Sequence, residues 1–159
     1  MKSALDPVSY IEKTKRYYEA QGFAVPYRWA RNEESPIVEM SRPLSKSTIG
    51  IASTASTYPR RMVEPRSVEA ISNDKVPERL YAEDLAWDRK ATHLNDRGTF
   101  FPIDVLWKLT NSQFIGDVSK RSYFLPTEYS QRKTLQVDAP QVLDRCREDD
   151  VEALLLVPL

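Results

Sequence analysis

The chain has 159 residues, 41% apolar and 29% charged, which is the make-up of one globular domain with a real core. Twenty-three Lys and Arg balance twenty-three Asp and Glu, so the basic surplus of a nucleic-acid protein is missing. One cysteine excludes an intrachain disulfide and a multi-cysteine zinc site, one histidine excludes a His-rich metal site, and no apolar run reaches the ~18 residues of a membrane span. No signal core opens the chain, so the default reading is a soluble cytoplasmic domain without a cofactor.

Asp6 as cap, Pro7 in the first helical position and Gly22 as a left-handed stop predict a helix over about 7–21, with Val8, Ile11, Lys15 and Tyr18 near one face. Residues 23–47 are broken by Pro26, Pro36 and Pro43 and read as irregular. Within them Tyr27 and Trp29 are read as plugs in the side of the core, with Arg28 at the rim; a ligand or subunit contact is the alternative.

Residues 47–54, β-branched and uncharged, form the clearest strand, of the kind buried on both faces of a parallel sheet. Gly50 inside it predicts a close approach by a neighbouring helix or backbone. Residues 59–79 read as a long loop or paired turns, with Arg60 and Arg61 a solvated pair or an anion clamp. A second strand is placed around Leu85, Ala86 and Trp87, and 92–98 read as a turn-rich loop.

Residues 102–109 predict a short amphipathic helix with Ile103, Leu106, Trp107 and Thr110 inward; 114–118 read as a brief strand or turn. Asp138 and Pro140 predict the start of a helix running to about Asp149, its apolar stripe being Ala139, Val142, Leu143 and Cys146. Residues 151–157 then form a second buried strand, which completes the αβ half of a βαβ unit. The expected fold is a single α/β domain over 1–159. A small, mainly parallel sheet is flanked by helices, and 1–46 supply an N-terminal helix and an irregular wrapping segment.

Ligands of open α/β sheets bind beyond the carboxyl ends of the strands. The first strand delivers Ser53, Thr54 and Ser56 there, where small hydroxyls and backbone N–H groups can hold a carboxylate or phosphate, or simply form an ST-turn. No Gly-rich phosphate loop follows, which argues against a nucleotide. His93 is the neutral-pH acid/base candidate, with Asp96 three residues on to orient it; a structural loop histidine is the bland alternative. Cys146 reads as a small hydrophobe on a helix stripe rather than a redox group.

Taken in order, several segments resemble the selenoprotein B family of the glycine, sarcosine, betaine and D-proline reductases, especially its shorter bacterial relatives. They are Tyr10-Ile11, residues 26–30, Pro43-Leu44 leading into 47–56, Thr92-His93 through Asp96, residues 101–106, 114–118 and 150–158. The resemblance covers most of the chain. It implies an α/β sandwich and a component of a complex that reductively cleaves amino-acid-type substrates. It carries over His93 and Asp96 as catalytic candidates and Ser53, Thr54 and Ser56 as substrate-binding candidates. The family's reactive cysteine or selenocysteine follows a stretch like 154–158, whereas this sequence ends at Leu159 and Cys146 precedes that stretch. The expectation is therefore a family-type component that lacks its own nucleophile and is inactive alone. Two other classes stand beside it: a non-catalytic binding or assembly subunit of the same fold, and a lyase- or racemase-like enzyme using His93. A small-molecule substrate, and either a second copy or a reductase subunit as partner, are the expected associations; nucleic acid and membrane are not. A short sheet would leave an edge open to another chain.

Overall fold

The computed structural model describes residues 9–25, 28–36, 38–59, 67–82, 93–125 and 130–159. The chain divides into two compact units, Met1–Ile37 and Val38–Leu159. The predicted strand at 85–87, the Arg60-Arg61 pair, Tyr27, and the predicted first helical turn at Pro7 and Val8 lie outside the described residues.

In the first unit, helix α1 (Tyr10–Ala20) ends as its composition predicts. Gly22 takes φ 80°, and the N–H of Phe23 reaches the Tyr18 carbonyl while that of Gly22 reaches Glu19. This is a Schellman stop, sealed by the Tyr18 and Phe23 rings at 5.5 Å. Trp29 corrects the sequence reading: it is 43% exposed, so it does not plug a core.

The second unit is built on a five-stranded, mostly parallel sheet with helices around it, the expected small α/β fold. Its centre is β1 (Thr48–Ser53), followed by β2 (Glu69–Ser72), β3 (Asp117–Val118), β4 (Arg121–Phe124) and β5 (Ala153–Val157). On one side β1 pairs in parallel with β3 and then β4; on the other it pairs in parallel with β5. Between Ile49↔Val118 and Ala52↔Tyr123 the register shifts, leaving Ser119 and Lys120 as a two-residue bulge between β3 and β4. β2 adds antiparallel to the outer side of β4.

Alternation along β1 separates two cores. Ile49 and Ile51 join Phe100, Phe101, Ile103, Leu106 and Phe124 on one face. Ala52 meets Tyr123, Val142 and Cys146 on the other. Helix α2 (Ile103–Asn111) supplies Ile103 and Leu106 to the first core, as its period predicts, but Trp107 stays 42% exposed. The second face is covered by a helical run: α3 (Gln131–Lys133), a π-helical turn Thr134–Asp138, and α4 (Ala139–Glu148). Asp138 is thus not a cap. It is buried with helical φ and ψ, because helix already precedes it. Of the predicted α4 stripe Val142 and Cys146 are buried, whereas Ala139 and Leu143 are exposed.

Two further differences concern strands. Residues 69–72, expected in a loop, form β2, whose mixed residues pair with β4. β5 exists as expected but is an outer strand: Leu155 is 40% and Leu156 68% exposed.

Candidate functional site

Because β1, β4 and β5 run parallel, their carboxyl ends lie at one end of the sheet, and the expected site residues of the first strand gather there. Ser53 is buried, donates to the Phe100 carbonyl at 3.1 Å and accepts from the Ala55 N–H at 3.2 Å. The Thr54 hydroxyl accepts from the Leu159 N–H at 2.8 Å. The Ser56 backbone pairs with Tyr81 as an isolated bridge, and its hydroxyl donates to the Tyr58 carbonyl at 2.8 Å. Beside them buried Thr57 donates to Glu69 at 2.8 Å, a contact across twelve positions that no spacing rule suggests.

His93 and Asp96 sit in the exposed loop that leads to Phe100. His93 Nδ1 accepts from the Asn95 N–H at 3.3 Å. Asp96 accepts from the Gly98 N–H at 3.0 Å and caps the short turn Arg97–Thr99. Each side chain thus serves its own turn. Ser53 is tied to the end of this loop through the Phe100 carbonyl, whereas the bonds of His93 and Asp96 described above stay within the loop.

A second polar cluster was not visible in the sequence. Arg121 Nε lies 3.0 and 2.9 Å from the two carboxylate oxygens of Asp149, and Arg121 Nη2 lies 2.9 Å from Glu148. The fully buried Tyr123 donates its hydroxyl to Asp149 at 2.7 Å. Burial, and then the bond to Asp149, push the Tyr123 phenol well above its usual value. Arg121 holds its charge still more firmly because of Asp149 and Glu148, while Arg121 and Arg145 keep exposed Glu148 below the usual carboxylate range. Next to this network lies Cys146. Burial first, and the Asp149 charge second, push its thiol up, which favours the protonated form. Arg121 and Asp149 are 28 positions apart, so only the fold could reveal their pairing.

On the same face a cleft of about 450 Å³ opens between α4 and β5, lined by Leu125, Asp138, Val142, Cys146, Leu154 and Leu156 among others. Its walls are mainly apolar, with Thr134, Asp138 and Glu152 also in the lining, and are suited chiefly to bury hydrocarbon or another protein surface. Among the described residues no group of three or more His, Cys, Asp and Glu side chains is placed to hold a metal, and no helix is long and apolar enough to cross a membrane. No family model matches the chain, and no curated protein or solved structure matches it.

Proposed function

We propose that this chain is a binding or assembly component of a reductase complex of the glycine, sarcosine, betaine or D-proline type, with the nucleophilic thiol or selenol supplied by another subunit. The observation that carries this reading is the state of Cys146. The chain's single thiol is buried on α4 beneath Tyr123 and Asp149, where burial and negative charge both favour the unreactive form. The commitment of Ser53, Thr54 and Ser56 to bonds that hold the fold supports it further.

The test assays the purified chain for dithiol-dependent reduction of glycine, sarcosine, betaine and D-proline, alone and mixed with a cysteine-bearing component of that family. Alone it is expected to be inactive, with Cys146 reacting with a thiol reagent only after denaturation; mixed, it is expected to co-elute with the component. Turnover by the chain alone that disappears in Cys146→Ser would overturn the reading. Turnover lost in His93→Ala and retained in Cys146→Ser would replace it with a histidine-dependent lyase or racemase.

A further inference from the structure

Outer strands of natural sheets are blunted by charge, proline, a bulge or brevity. β2, one margin of this sheet, is four residues long, carries Glu69 and leads directly into Asp74 and Lys75. β5 has no charge, proline or bulge within its five residues, although Glu152 and Pro158 flank it directly. It is uniformly apolar and pairs with β1 over five consecutive residues in unbroken register. Among the described residues β1 is its only strand partner. Leu155 and Leu156 are exposed at 40% and 68%, and the apolar surface continues over the cleft to Leu143 of α4, 49% exposed.

We propose that two copies of this chain pair through β5, antiparallel, about a two-fold axis at Leu155. The argument for a second copy is that the strand complements itself in polarity. In this register Leu155 meets Leu155 of the second copy, Leu154 meets Leu156, and Ala153 meets Val157, so every pair is apolar. Glu152 falls opposite Pro158, away from any like charge. Its carboxylate is already held by Arg42 and by the Thr48 N–H, so pairing leaves no bare charge beside the new ladder. Centring the pair on Glu152 would set two carboxylates face to face; centring it on Leu154 would press Glu152 against Leu156. The Leu155-centred register avoids both. A two-fold axis normal to the sheet also places both α4 helices on one side, where Leu143 and Leu156 of each copy can cover the leucines of the other. The pairing does not depend on the reductase reading.

Light scattering coupled to size exclusion on the full chain, across a dilution series, tests the proposal. A dimer is expected, and Leu156→Lys is expected to raise its dissociation constant about tenfold or more while leaving the circular dichroism unchanged. The register is read separately by cysteine pairing in a Cys146→Ser background. Directly opposed residues of an antiparallel pair have Cα atoms about 4.5–5.5 Å apart, within disulfide reach. Leu155→Cys should therefore cross-link efficiently on mild oxidation. Leu156→Cys, displaced by two residues and about 8 Å from its own copy, should not. A monomer at every concentration, open-ended assembly, or a dimer indifferent to Leu156→Lys that fails to cross-link at position 155 would each overturn the proposal.

Discussion

Gly50 and Gly116 both sit in crowded places, but the crowding differs in kind. A Cβ on Gly50 would come within 2.9 Å of Val151 Cγ1, 3.2 Å of Val151 Cγ2 and 3.0 Å of Leu154 Cδ1, all side-chain atoms, of which the leucine end moves more freely than the β-branched valine. A Cβ on Gly116 would lie 2.6 Å from the backbone of both Lys46 and Ser47. That junction is also where the Gly116 N–H reaches the Leu44 carbonyl at 2.8 Å, just before β1 and β3 begin to pair. Backbone cannot yield without breaking the register. Gly116→Ala is therefore expected to cost more than Gly50→Ala: about 3 kcal/mol against about 1 kcal/mol, read from urea midpoints at constant m-value. Equal losses would mean that the β1–β3 junction is softer than its geometry implies.

At the scale of elements, the Asn73 side chain clamps the bulge between β3 and β4, beside the Ser119 N–H bond to the Ile49 carbonyl. Asn73 donates to the Ser119 carbonyl at 2.6 Å and accepts from the Ser122 hydroxyl at 2.6 Å, and its own N–H reaches the Lys120 carbonyl. Ser119 and Ser122 are both buried, so without Asn73 their polar atoms would lose partners away from water. Asn73→Ala is expected to destabilise the protein by about 2 kcal/mol. Amide exchange should accelerate first over 117–124, since the bulge lets one strand path meet β1 in two registers. Unchanged exchange there would assign the clamp to other contacts.

For the molecule as a whole, pH acts through the protons that the fold retains. Tyr123 and Cys146 both hold theirs above their ordinary values, chiefly through burial. As pH rises the unfolded chain releases these protons first, the thiol from about 8.5 and the phenol from about 10. The unfolded state then binds fewer protons than the folded one, and stability falls with pH. The slope is at most about 1.4 kcal/mol per pH unit for each group. Urea midpoints are expected to decline from pH 8 upward. Cys146→Ala should flatten the lower part of that decline and Tyr123→Phe the part above pH ~10. A midpoint constant across this range would contradict the burial of both groups. Glu148 works in the opposite sense, its contribution being lost as pH falls through the carboxylate range, and its exposure to solvent keeps that contribution small.

β1 and α2 were legible in the sequence because each element carries its own signal. Residues 48–53 are β-branched and uncharged as a twice-covered strand requires, and Pro102 with Ile103 and Leu106 marks both the start and the inward face of a helix. The small, mainly parallel sheet followed from those elements and from the helix-then-strand order of the last twenty residues. β2 and β4 were not legible. Each is four residues of mixed polarity, and each becomes a strand only because the other lies beside it, with Glu69 against Phe124 more than fifty positions away. The same reason divides the candidate site. Ser53, Thr54, Ser56, His93 and Asp96 could be picked out by residue type and position. That the first three are tied to Phe100, Leu159 and Tyr58 was set by which loops the sheet brings together. So was the Arg121–Asp149–Tyr123 network over Cys146. Local periodicity and capping record what a segment does alone; long-range pairing decides which polar groups are spent on the fold and which edge remains open.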